Sequence, residues 1–182
     1  MMKKIYVIRH CEAEGQPSEA KLTNKGDIQA LELAEFFLDT KIDRIISSPY
    51  KRAIQSIQPL ANLLNVEIEL NSLLSERVLS TNNYSDWYEK LRNTFNDFEL
   101  KFEGGESSQE AAKRIIGVVE EVFKSENENT IIVTHGNLMA LLLNYVNKKF
   151  GFDDWKNLSN PDVFLLKVQN DNVTYARLWK QD

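Results

Sequence analysis

Short β-branched or aromatic runs alternate along the chain with longer stretches of helical periodicity, and this alternation constrains the fold more than any other feature. Lys4–Arg9, Arg44–Ser47, Val66–Leu70 and Thr130–Thr134 read as strands. Between them, Thr23 or Asn24 caps a helix with Ile28, Leu31, Ala34, Phe37 and Leu38 as its apolar stripe. Pro49 sits well at a helix start, and Ala53, Ile57, Leu60, Ala61 and Leu64 follow at the right period. Residues 71–86 are polar and irregular, and Asp86–Phe102 reads as a helix with Trp87, Leu91, Phe95 and Phe98 on one side. Gly104-Gly105 breaks the chain, and Ser107 with Glu110 forms a capping box for a helix to about Lys124. Gly136 opens a last apolar helix, and Phe164–Val168 and Val173–Leu178, joined through Asn170-Asp171-Asn172, read as a closing hairpin. The expected fold is α/β: three layers, a mostly parallel central sheet with helices on both faces, and one domain over residues 1–182.

Composition narrows the function classes. The net charge of −5 argues against a general nucleic-acid binder, so an anionic ligand needs a local cationic cluster. One cysteine, Cys11, excludes an intrachain disulfide, and one Cys with two His makes a closed zinc site a poor expectation. The N-terminal apolar run is too short for a signal peptide, and no stretch approaches membrane-spanning length. A cytoplasmic enzyme without cofactor, metal, membrane or nucleic-acid partner is the expectation.

In open α/β sheets, chemistry collects beyond the carboxyl ends of the strands. Arg9-His10 ends the first strand and Thr134-His135-Gly136 ends the strand near residue 132. A histidine flanked by Arg9 and Cys11 gains little from apolar burial, so His10 reads as a neutral imidazole able to attack phosphorus. His135 opens a helix whose free N–H groups, at Gly136 and Asn137, favour an anion. Protonated, it would hold charge that builds in the transition state. Arg52, on the first turn of the helix after Ser47-Ser48-Pro49, is placed to clamp a phosphate.

These pieces together resemble the histidine phosphatase superfamily, the phosphoglycerate mutase-like proteins. The matching stretches are Ile8-Arg9-His10, Leu22-Thr23-Asn24-Lys25-Gly26, Ser47-Ser48-Pro49 through Arg52-Ala53, Gly105-Glu106-Ser107 and Val133-Thr134-His135-Gly136, in the family's order. The resemblance implies a phosphohistidine on His10, a positive pocket of Arg9, Arg52 and His135, no metal, and a small phosphorylated metabolite as substrate. It also implies an acidic residue after the third strand as acid and base, at the position of Glu76; Glu67, Glu69 and Glu106 stand as alternatives. Thr23, Gly136 and Asn137 join the expected binding residues.

Two departures stand out. Cys11 occupies a position where many members have Gly, and Ala13 removes a hydroxyl that Gln16 would replace. His10-Cys11 also begins the signature of cysteine phosphatases, but no Arg occurs between Arg9 and Arg44 to complete that cradle. No glycine-rich phosphate loop follows any strand. A mutase would share the same pocket, and a phosphate-binding module without turnover is the nonenzymatic alternative. The short chain favours hydrolysis over transfer.

Overall fold

The computed structural model describes residues 2–169 and 172–179. Six strands form one sheet in the order β3-β2-β4-β1-β5-β6: β1 (Lys4–Arg9), β2 (Arg44–Ser47), β3 (Ile68–Leu70), β4 (Asn129–Thr134), β5 (Asp162–Gln169) and β6 (Asn172–Arg177). The first four are parallel, and β5 and β6 extend the sheet as an antiparallel pair. The expected hairpin is therefore present in its strands; two residues of its expected turn, Asn170 and Asp171, lie outside the described residues.

Alternation along the strands divides the core in two. Ile5, Val7, Ile46, Ile132, Phe164 and Leu166 face one side, under α4 (Ser108–Lys124) and α5 (Gly136–Val146). Tyr6, Ile8, Ile45, Ile131, Val133, Val163 and Leu165 face the other, under α1 (Asn24–Phe36) and α2 (Lys51–Leu64). This is the expected three-layer arrangement. α5 is buried nearly all round, as its unbroken apolar sequence requires. The Ser107–Glu110 capping box starts α4 as expected.

Three local expectations need correction. The buried face of α1 is Ala30, Leu33, Ala34 and Phe37; Ile28, Leu31 and Leu38 are exposed. Both sets fit a helical period, and the small Ala30 and Ala34 are the ones that pack in the α1–α2 layer. The helix after residue 86 is shorter than expected: α3 runs Trp87–Asn96. Just beyond it, the Asp97 side chain accepts from Glu99 N–H at 3.0 Å, a local turn that competes with helix continuation. Trp87, expected on the apolar side of that helix, is 51 % exposed. A short α6 (Phe152–Lys156) completes the elements, and no helix among the described residues is long and apolar enough to cross a membrane.

Register decides where the chemistry lies. Arg9 pairs with Thr134 and with Asp162, and Ser47 pairs with Val133. The carboxyl ends of β1, β2 and β4 therefore finish side by side, joined there by the residues leading into β5.

Candidate active site

His10 follows β1 directly, and its ring is fixed from both sides. Nδ1 lies 2.7 Å from the Cys11 carbonyl, which can only accept, so Nδ1 carries the proton. Nε2 is then a bare lone pair, and it accepts from Arg52 Nε at 3.2 Å. Burial, and then the positive charges of Arg52 and Arg9, push the His10 pKa down to about 3, against the opposing pull of the Cys11 carbonyl. The ring is thus a neutral, oriented nucleophile at ordinary pH.

The two imidazoles sit with centroids 5.1 Å apart. His135, fully buried at the end of β4, has its Nε2 2.7 Å from Ser48 Oγ. Ser48 Oγ accepts from Tyr50 N–H at 3.2 Å, and its own O–H has no acceptor among the described residues other than His135 Nε2, so the arrangement that satisfies that proton has Ser48 donate to the ring. The neutral ring then carries its proton on Nδ1, a buried atom with no partner among the described residues. Burial, helped by the neighbouring His10, Arg52 and Arg9, holds the His135 pKa well below the usual 6.5. The expected protonated imidazole is therefore corrected: the ring is neutral and offers an N–H rather than a full charge.

Arg52 is 1 % exposed. Its Nη1 donates to the carbonyls of Gln16 (3.0 Å) and Pro17 (2.8 Å), and its guanidinium stacks 5.0 Å from the Tyr50 ring centre. Arg9 donates from Nη1 to Leu158 O at 3.1 Å, while its buried Nε has no partner. A Cβ on Gly136 would lie 2.9 Å from Arg9 Nε and Cζ, so only glycine lets the guanidinium lie across the start of α5. Of the four buried side-chain N or O atoms without a partner among the described residues, three belong to Arg9, His135 and Asn137. Unspent donors rarely gather in a folded interior, and here they sit on Arg9 at the end of β1 and on His135 and Asn137 around the start of α5, against which the Arg9 guanidinium packs.

Glu76 shares a cleft with Arg52, and its charge is felt by both Arg9 and Arg52. Its Oε1 accepts from Leu138 N–H (3.0 Å) and Arg77 N–H (2.8 Å), and its Oε2 from Asn137 N–H (3.1 Å). The expectation that these helix-start N–H groups are free for phosphate is corrected: a carboxylate holds those of Asn137 and Leu138, as the helix dipole favours. The loop carrying Glu76 is itself clamped. Arg114 donates to the carbonyls of Leu73 (2.6 Å) and Ser75 (2.8 Å) and grips Glu106 bidentately at 2.7 and 3.0 Å. Glu106 is thereby committed to structure. Glu69 is likewise paired with Arg44 at 2.8 Å, and Glu67 belongs to a separate groove on β3. Glu76 is left as the carboxylate at the site.

Two further placements differ from expectation. Thr23 is spent on α1: its hydroxyl donates to Glu12 at 2.9 Å and accepts from Gly26 N–H at 3.0 Å. Gln16 contributes its carbonyl to Arg52, and its side chain lines a cleft of about 500 Å³ beyond Glu76. Cys11 is fully buried in the α1–α2 core, with its thiol pKa pushed up to about 12, chiefly by burial. It has no thiolate chemistry to offer.

Residues that sequence reasoning missed complete the site. Ser48 and Tyr50 lie in a stretch read only as a helix start. Asn160 donates to His10 O at 2.8 Å from the loop before β5. Arg77, 6 % exposed, ties Glu106 O (2.8 Å) to Thr94 (3.2 Å) under the cleft. No local motif announces these contacts, because each partner comes from a distant segment.

The depressed histidine pKa values have a consequence for stability. The folded state keeps His10 and His135 neutral, whereas the unfolded chain protonates them below about 6.5. Stability is therefore lost as pH falls through 6.5 toward the folded value, by up to about 1.4 kcal/mol per histidine per pH unit. The melting temperature is expected to drop between pH 7 and pH 5, a window above the usual carboxylate range, and added inorganic phosphate to restore part of it. Thermal unfolding at fixed ionic strength checks this; a flat profile across the window contradicts it.

A family model described as histidine phosphatase superfamily (branch 1) matches residues 5–180. Phosphoserine phosphatase 1 of Hydrogenobacter thermophilus is 28 % identical over 156 residues, covering 74 % of this chain and 71 % of that protein. A Salmonella choleraesuis protein named "Probable phosphoglycerate mutase GpmB" is 26 % identical over 164 residues, covering 80 % and 75 %. The solved structure of a mycobacterial glucosyl-3-phosphoglycerate phosphatase superposes with a TM-score of 0.78 at 20 % identity, covering 97 % of both chains, which shows the fold. With two histidines and two arginines at aligned strand ends and a family match along almost its whole length, the chain belongs to the histidine phosphatase superfamily, branch 1, and is a hydrolase of the phosphatase kind.

Proposed function

We propose that the protein hydrolyses a small phosphate monoester in two steps through a phosphohistidine on His10, without metal. The observation that carries this is the bare Nε2 of His10, oriented by the Cys11 carbonyl and held beside Arg52. In the first step Nε2 attacks phosphorus, the P–O bond to the alcohol breaks, and Glu76 supplies the proton to the leaving oxygen. In the second, Glu76 takes a proton from water as the water oxygen attacks phosphorus, the P–N bond breaks, and inorganic phosphate leaves. Arg9, Arg52 and the N–H of His135 surround the nonbridging oxygens, where fixed positive dipoles and charges do most of the work of phosphoryl transfer. Gly136 N–H and Asn137 Nδ2 are the remaining donors at the start of α5. Two guanidinium groups supply the charge that a metal would otherwise bring.

The test is a steady-state assay with a chromogenic aryl phosphate. Turnover unchanged by a strong chelator is expected. Turnover lost to chelator and restored by a divalent cation overturns the metal-free mechanism, and tight vanadate binding without turnover supports a binding module instead. A mutase-type transfer is the second reading, favoured by the mutase-named relative. The cleft walls weigh against it: Asn82, Asn83 and Trp87 are exposed, so the cleft that holds Glu76 and Arg52 is open to water.

A further inference from the structure

The cleft beyond Glu76 has a chemical character of its own. Apart from Arg52, Glu76 and Arg77 it is lined by uncharged groups, among them Tyr50, Val78, Asn83, Tyr84 and Trp87. Its only cations among the described residues are Arg52 and Arg77. Arg52 belongs to the phosphoryl pocket. Arg77 points its donors inward, to Glu106 O, Thr94 Oγ1 and Ser108 Oγ, and is almost wholly buried. Lys90, outside the lining, lies over the Tyr84 ring at 4.7 Å and is paired with Asp86 at 3.1 Å. A second anionic group on a substrate would meet no uncommitted cation in the cleft lining among the described residues, and would face the Glu76 carboxylate. An apolar ring, by contrast, would meet the half-exposed Trp87 indole.

We propose that this cleft selects phosphate esters of an uncharged, ring-bearing alcohol, and discriminates against esters whose alcohol carries a carboxylate. Loss of water from a carboxylate that finds no partner costs binding energy, while stacking on Trp87 gains it. The inference rests on the phosphatase reading and refines it. It also separates this chain from the relatives whose names refer to phosphoserine and phosphoglycerate.

Three primary-alcohol esters keep leaving-group reactivity comparable: 2-phenylethyl phosphate, glycerol 3-phosphate and 3-phosphoglycerate. The expected order of kcat/KM is that order, with at least about tenfold between the first and the last, the scale on which one pocket contact discriminates. In Trp87→Ala, kcat/KM for 2-phenylethyl phosphate falls at least about fivefold more than for glycerol 3-phosphate, and Trp87→Phe retains most of the preference. Because Trp87 is half-exposed, neither change threatens folding. If 3-phosphoglycerate is cleaved as well as 2-phenylethyl phosphate, or if Trp87→Ala leaves their ratio unchanged, this inference is overturned while the phosphatase reading stands. Release of phosphate from none of the three esters overturns the phosphatase reading and this inference with it.

Discussion

His10→Ala abolishes turnover, with a loss of at least about 10⁴-fold in kcat, the scale seen when a covalent nucleophile is removed. The expectation follows from geometry. Each ring has one unprotonated nitrogen, Nε2: that of His135 is taken by the Ser48 hydroxyl at 2.7 Å, whereas that of His10 meets only Arg52 Nε at 3.2 Å, a donor that phosphoryl oxygens can draw away. No second nucleophile stands ready, since Cys11 is sealed in the core with its thiol pKa raised. Phosphate binding should survive, because Arg9, Arg52 and His135 remain. Rapid quench of the unmodified enzyme with radiolabelled ester should trap label that is stable in alkali and lost in acid, as a P–N bond requires. Alkali-labile, acid-stable label points to an ester or acyl phosphate and removes His10 from the role. Residual turnover of His10→Ala within tenfold of wild type would do the same.

The parts of this site legible in sequence share one property: each sits where a strand stops. Arg9, His10 and His135 adjoin apolar runs whose ends are easily read, and the parallel register of β1 and β4 brings those ends together. Arg52 is one turn into the next helix, so its position follows from that of Ser47. What could not be read depends on packing between distant segments. Ser48 reaches His135 across 87 positions and Asn160 reaches His10 across 150. Thr23 carried two expectations, helix cap and binding residue, because a hydroxyl in a matching stretch looks the same in either role; the structure has it as the cap of α1. On α1 the period was right and Ala34 and Phe37 are buried as expected, but Ile28, Leu31 and Leu38 are not, since periodicity cannot say which of two overlapping stripes has the small residues that allow close helix contact. Trp87 failed for a different reason: a tryptophan at helical spacing usually gains by burial, and this one borders a cleft. The free N–H groups expected at Gly136 and Asn137 were an extrapolation from helix geometry, and the Glu76 carboxylate takes that of Asn137 together with the next one, of Leu138.

That competition makes Glu76→Gln the most informative second variant. Glutamine keeps one oxygen, which can stay on the N–H groups of Arg77 and Leu138; the Asn137 N–H then loses its acceptor to an NH₂ group. The fold should lose about 1–3 kcal/mol, the cost of one unsatisfied buried donor, and the loop stays clamped by Arg114. Proton transfer is a separate loss. With an alkyl ester both steps need Glu76, and kcat should fall by about 10²–10⁴-fold with vanadate affinity largely kept. With an aryl ester the leaving oxygen needs no proton, so His10 is phosphorylated at nearly the normal rate while water attack is slow. A stoichiometric burst of phenol should then precede a slow steady state, and labelled phosphohistidine should accumulate. A burst with aryl but not alkyl esters assigns both proton transfers to one carboxylate. A near-wild-type rate with alkyl esters would move the acid role to another residue, and a uniform loss on both esters with no burst would make Glu76 a structural cap for α5 and nothing more.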